Sequence, residues 1–115
     1  REIKFRAWDG EAMVEVAELH LNTKEVLVDD EAWLSMRHSP LMQYTGLHDN
    51  NGREIYEGDI VKNEYGKVME VNYDPRSAAF GVGDYYFGTI GSGKILEVIG
   101  NIFENQELME AAKHE

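Results

Sequence analysis

The first strand-length stretch, Glu2-Ile3-Lys4-Phe5-Arg6-Ala7-Trp8, alternates strictly. Ile3, Phe5 and Ala7 fall on one face and Glu2, Lys4 and Arg6 on the other, the period-two signature of a half-buried strand. Asp9-Gly10 follows as a turn. From Met13 to Leu21 two periods compete, since Val14 and Val16 alternate with acids while Met13, Ala17 and Leu21 also fit a helix. Asn22-Thr23 then leads into Glu25-Val26-Leu27-Val28 as a hairpin would, which favours a strand. Asp29 to Arg37 reads as a short helix, with Asp30 as its cap and Ala32, Trp33 and Met36 at helical spacing. Ser39-Pro40 closes this region.

Beyond residue 40 the pattern is β. Leu41 to Thr45 and Glu54 to Glu57 flank a polar loop, and Asp59 to Asn63 and Lys67 to Tyr73 flank Glu64-Tyr65-Gly66. Asp74-Pro75-Arg76-Ser77 is a turn, with proline at a position that favours its fixed φ. Phe80 to Phe87 and Ile95 to Ile102 complete the set of strands. Short strands this closely spaced, separated by glycine turns, indicate a small barrel or sandwich. Asn105 to Lys113 closes the chain as a helix, with Asn105 as cap, acids in the first turn and Lys113 near the end, matching the helix dipole. The fold class is therefore mainly β with minor α.

Composition narrows the function classes. The 115 residues suit one domain, 43% are hydrophobic and 29% charged, and there is no cysteine. That excludes disulfides, thiol catalysis and cysteine-based zinc sites. No apolar run is long enough for a membrane span, and no signal-peptide pattern opens the sequence, so a cytoplasmic location is expected. The net charge of −11, from 22 acidic and 11 basic residues, works against general nucleic-acid binding, which relies on lysine and arginine. It leaves open an acidic surface that competes with nucleic acid for a basic protein.

The chemistry-bearing motifs are incomplete. Gly88 and Gly93-Lys94 have the spacing of a phosphate-binding loop, but Ile95 stands where that motif needs serine or threonine, and a strand follows where it needs a helix. A calcium loop with Gly52 at its sixth position would begin at Leu47 and end at Gly58, failing at both ends; an irregular site from Asp49, Asn51 and Glu54 remains open. His20, His38, His48 and His114 are too far apart for a local metal clamp. Ser35, Ser39, Ser77 and Ser92 show no nucleophile elbow. Tyr65, Tyr73, Phe80, Tyr85, Tyr86 and Phe87 suggest a base-stacking face, but only Lys62, Lys67, Arg76 and Lys94 could supply its cations. Half of these aromatics belong in a core by alternation, and exposed tyrosines at a protein interface are the better reading. The polar run from His48 to Asp59 reads mainly as a turn. Asn51-Gly52 is a strong hairpin signal, and Asp49 and Asn50 can bond neighbouring amides.

Three ordered blocks carry a family resemblance. They are Arg1 to Asp9, then Leu41-Met42-Gln43-Tyr44-Thr45-Gly46-Leu47 through Asp49, Asn51-Gly52 and Glu54 to Val61, and then Val98 to Asn105 running into Glu107-Leu108. The chain resembles the YopX family of phage and prophage proteins, departing at Gln106, where relatives often carry proline. The resemblance implies a β-rich fold with an SH3-like barrel and a bacteriophage or prophage source. It implies no activity and no catalytic or ligand residue.

The expected organisation is an N-terminal β-rich segment with a short helix (1–40), an SH3-like barrel core (41–104) and a C-terminal helix (105–115), all within one compact unit if they pack together. The expected function is a non-enzymatic protein–protein interaction or regulatory module, with self or a host protein as partner and homo-oligomers allowed. The alternatives are an acidic nucleic-acid mimic and an enzyme with an unrecognised metal or nucleotide site. No cofactor, metal or catalytic residue is expected, nor nucleic acid or membrane as partner. The candidate interaction surface is Tyr44, Arg53, Tyr56 and Asp59.

Overall fold

Residues 2–29, 32–83, 85–87 and 93–113 are described in a computed structural model, and eleven strands and a C-terminal helix lie among them. The chain divides into two compact units, residues 1–44 and 45–115.

In the first unit, β1 (Phe5–Trp8), β2 (Met13–His20), β3 (Glu25–Val28), β4 (Trp33–Ser35) and the start of β5 (Leu41–His48) form an antiparallel sheet in the order β4-β3-β2-β1-β5. Its core is small: Ala7, Val26, Val28, Met42 and Tyr44 are buried. The strand readings hold for β1, β2 and β3, but β2 carries a register shift between Val16 and Glu18, and Ile3, expected on the buried face, lies before β1 and is exposed. Asp9 closes the β1–β2 turn by accepting the Glu11 and Ala12 amides at 2.7 and 2.8 Å.

The helix expected over Asp29 to Arg37 is not formed. Trp33–Ser35 is a strand, pairing Leu27 with Trp33, Val26 with Leu34 and Glu25 with Ser35, and the Met36 amide donates to the Lys24 carbonyl at 2.8 Å. A helix this short is marginal by itself, whereas the edge of β3 offers a ladder of unpaired amides and carbonyls. Trp33, which helical spacing would have turned inward, stands half exposed edge-on to His20, with ring centroids 5.0 Å apart. Asp30, the expected cap, lies outside the described residues.

In the second unit, β5 runs on to pair with β6 (Glu54–Tyr56), and the Thr45 hydroxyl donates to the Ile55 carbonyl at 2.7 Å. A second antiparallel sheet has the order β10-β9-β8-β7-β11: β7 is Asp59–Lys62, β8 Val68–Asp74, β9 Ala79–Val82, β10 Tyr85–Tyr86 and β11 Glu97–Asn101. Among the described residues this sheet does not close on itself. The stretch expected as one strand from Phe80 to Phe87 is two strands, separated at Gly83. The core holds Ile55, Val61, Met69, Val71, Val82, Phe87, Leu96 and Val98, with Leu47 and Phe80 packed against it.

β11 carries a bulge, pairing Val98 with Val61 and then Gly100 with Ile60, so that Ile99 is extra. The Asn101 side chain then accepts the Phe103 and Glu104 amides at 3.0 and 2.9 Å, leading into α1 (Gln106–Lys113), which packs against β8. Asn105, expected as a helix cap, turns its side-chain oxygen back to the Asn101 amide at 3.1 Å.

Two glycines set the corner beside β5. Gly52, in the 49–53 turn, has φ +82°, and a Cβ there would meet nothing within 4 Å, so its requirement is purely conformational. Gly93 has no space: a Cβ would fall 2.6 Å from both the His48 carbonyl oxygen and Ile55 Cδ1. Urea unfolding should therefore show Gly52→Ala costing about 1 kcal/mol and Gly93→Ala about 2 kcal/mol or more through overpacking. His48→Ala, at an exposed position, should stay within about 0.5 kcal/mol of wild type. Equal effects from all three would refute this account of the corner.

Candidate interaction surface

The polar run from His48 to Asp59 resolves into two turns. Asp49 is 4% exposed. Its Oδ1 accepts the Asn51 and Arg53 amides at 2.9 and 2.8 Å, and its Oδ2 accepts the Val98 amide of β11 at 2.9 Å. Burial works to raise this carboxyl. The amides of Val98, Arg53 and Asn51, with the charge of Arg53, outweigh it and hold the group below the ordinary 3.8. Both oxygens are thus committed to backbone amides, which removes Asp49 from the irregular calcium site considered above. Asp59, 1% exposed, accepts the Tyr56 amide at 2.7 Å and so closes the Glu57-Gly58 turn.

The four candidate surface residues fare unequally. Tyr44 and Tyr56 are buried, at 4% and 6% exposure, and Asp59 is buried in its turn. In the first unit the Lys4 ammonium lies 5.6 Å from the Tyr44 ring centroid. Only Arg53 is exposed. Among the described residues no group of three or more histidines, aspartates or glutamates is placed to hold a metal. The phosphate-loop spacing falls largely on residues 88–92, outside the described residues; Gly93, its second glycine, packs against β5 instead.

The second unit does present a different surface. The turn between β7 and β8 is held by Asn63, whose side-chain oxygen accepts the Tyr65 and Lys67 amides, both at 2.9 Å. With the loop stitched beneath it, Tyr65 projects at 86% exposure, and Tyr85 in β10 is half exposed. Between them lies a cleft of about 250 Å³ whose walls include Tyr65, Lys67, Met69, Val82, Tyr85 and Ile95. A second cleft of about 440 Å³ shares Tyr85 and is walled by Asn72, Tyr73, Asp74, Arg76 and Tyr86. The first is mainly apolar, with Glu64 at its rim, and the second is polar.

Asp74 organises the polar cleft. Its Oδ2 accepts the Tyr86 hydroxyl at 2.9 Å and the Ser77 hydroxyl at 3.1 Å, and its Oδ1 accepts the Arg76 amide at 2.9 Å. The Tyr86 hydroxyl, followed by the Arg76 amide, holds this carboxyl below its ordinary value. Tyr73 stacks edge-on against Phe80, with centroids 5.2 Å apart. Of the six aromatics singled out in the sequence, Phe87 is core and Phe80 is packed against it, while the four tyrosines are exposed.

A two-unit, mainly β protein is thus defined, with two antiparallel sheets and tyrosine-lined clefts on the second unit. The family model described as YopX protein matches residues 4–110, and the chain belongs to the YopX family. A solved structure of similar fold is that of protein EF1440 from Enterococcus faecalis, at 27% identity, with a TM-score of 0.68 over 94% of this chain and 98% of that one. No match is found among curated proteins. No helix among the described residues is long and apolar enough to cross a membrane.

Because its folded pKa is depressed, Asp49 contributes stability that is fully present above the unfolded value of 3.8 and is lost as pH falls through the lower folded value. Asp49→Asn places an NH2 group against at least one of three amide donors. It should cost about 2 kcal/mol at pH 7, with the gap to wild type closing below about pH 4. Urea melts of both proteins across pH 3 to 7 measure this; a gap independent of pH would refute the charged network.

Proposed function

We propose that this chain is a non-enzymatic protein–protein interaction module, phage- or prophage-encoded and acting in the cytoplasm of a bacterial host. Its second unit, on this reading, is an SH3-like barrel that binds through the tyrosine face. The observation that carries the reading is the grouping of Tyr65, Tyr73, Tyr85 and Tyr86 around two adjoining clefts. Tyrosine offers a large rigid ring and one polar atom at low conformational cost, which is why it is enriched where proteins meet. The strand order β11-β7-β8-β9-β10 supports the barrel, because the last strand returns to pair with the first and leaves a meander of the other three.

The family blocks around Tyr44, Tyr56 and Asp59 belong, on the same reading, to the framework. Arg53 is the one member of that set with a free face to offer.

The test compares wild type with Tyr65→Ala/Tyr85→Ala, in affinity capture from bacterial lysate and in sedimentation. Wild type should retain a protein partner or self-associate, and the double variant should lose about 2 kcal/mol or more of that affinity, roughly thirtyfold. A partner bound equally by both proteins would overturn the reading, and so would the absence of both partner and self-association.

A further inference from the structure

We infer that Asn51-Gly52 is a self-modifying site: Asn51 converts to isoaspartate in the native chain, at a rate governed by Asp49, and the conversion loosens the corner that ties the 49–53 turn to β11. The sequence supplies the reactants. Among the asparagines of the chain, only Asn51 is followed by glycine. Ring closure at an asparagine joins its side-chain carbon to the next residue's amide nitrogen, and a side chain on that next residue crowds the approach. Gly52 has none, and the space beside it is open, since a Cβ there would meet nothing within 4 Å. Asn51 is exposed, and among the described residues its side chain makes no hydrogen bond, so the carboxamide can turn onto the main chain.

The chemistry needs only water. The Gly52 amide gives up its proton to hydroxide, and its nitrogen bonds to Asn51 Cγ. The Cγ–Nδ2 bond breaks, and Nδ2 takes a proton from water and leaves as ammonia, which restores the hydroxide. Water then opens the imide ring at either of its carbonyls. Opening at the backbone carbonyl leaves the chain running through Cγ, an isoaspartyl link with an extra main-chain carbon. Opening at Cγ leaves ordinary aspartate.

The fold restrains the nucleophile. Asp49 holds three successive amides: its Oδ1 accepts those of Asn51 and Arg53 at 2.9 and 2.8 Å, and its backbone carbonyl accepts that of Gly52 at 3.1 Å. While the turn is closed, the Gly52 N–H is engaged and the main chain cannot rotate to bring its nitrogen onto Cγ. Reaction therefore waits for local opening, a process far less costly than global unfolding. The product then undoes the restraint. An extra carbon between residues 51 and 52 spreads the two amides that Oδ1 accepts, so that it cannot serve both. Asp49 Oδ2 accepts the Val98 amide at 2.9 Å, and the Asn50 amide donates to the Leu96 carbonyl at 2.9 Å. Loosening at residue 51 thus reaches β11 and the core residues it carries.

Storage of the full chain at neutral and mildly alkaline pH, followed by peptide mapping for isoaspartate at position 51, tests this. Isoaspartate should accumulate there in the native chain, faster at the higher pH. Chain held unfolded in urea should convert about tenfold or more faster than native chain, and Asp49→Asn should shift the native rate in the same direction. The converted fraction, separated by its added negative charge, should unfold at lower urea than fresh protein. Asn51→Gln, which would have to close a larger ring, should neither convert nor lose stability on storage. The absence of product at position 51 in the native chain would overturn the inference. So would equal rates in native and unfolded chain, an Asp49→Asn rate no higher than wild type, or converted protein with an unchanged urea midpoint. Should Asp49→Asn fail to fold, the comparison of native with unfolded wild type decides alone whether the turn restrains the reaction.

Discussion

The second unit depends on where one buried carboxylate sends its two oxygens. Asp49 neutralises three amide donors, two from its own turn and one from Val98, which lies 49 residues away in the chain. A carboxylate removed from water is costly unless its lone pairs are filled, and here they are filled by backbone that must be in its native place. The corner is drawn tighter by the Asn50 amide, which donates to the Leu96 carbonyl at 2.9 Å, and by Gly93, whose missing side chain lets that segment close on His48 and Ile55. Leu96, Val98 and Ile55 then enter the same core.

A common device runs through the polar residues of this unit. Asp49, Asp59, Asn63 and Asp74 each use a side-chain oxygen to satisfy amides that a tight turn leaves unpaired. Turns held in this way need no packing from the residues at their tips. Tyr65 can therefore stand in solvent above Asn63, and the Asp74 turn can bring its carboxylate to the Tyr86 hydroxyl. The dense acids of the sequence largely build frame, and the exposed chemistry is left to the tyrosines.

What could be read from the chain is what is local. Alternation located β1, β2, β3, β5 and most of the strands after residue 56, and Asn51-Gly52 located a turn, because each depends on neighbours in sequence. The stretch around Trp33 misled because its helical spacing is real but short, and the edge of β3 won it. The partner of the third Asp49 hydrogen bond was invisible, since nothing near Asp49 points to Val98. Tyr44, Tyr56 and Asp59 drew attention as polar or aromatic members of a distinctive block, and the fold buries all three, Tyr44 within β5 and Tyr56 and Asp59 on either side of a turn. The tyrosine clefts were half legible. The aromatics were evident, but their walls come from residues 63–65, 67, 69, 72–76, 81–83, 85–86 and 95–96, and only the sheet β10-β9-β8-β7-β11 brings these together.

The bulge in β11 has a further consequence, for which changes of length the chain can absorb. Ile99 acts as a phase shifter: strict alternation after Val98 would turn Gly100 to the core and Asn101 outward. The extra residue reverses this, so that Asn101 is buried opposite Asp59 and can collect the Phe103 and Glu104 amides. Removing one residue here would leave a straighter, more regular strand and yet send the chain towards α1 from the wrong face. Side chains can be exchanged along this segment at ordinary cost, but its residue count is fixed by geometry.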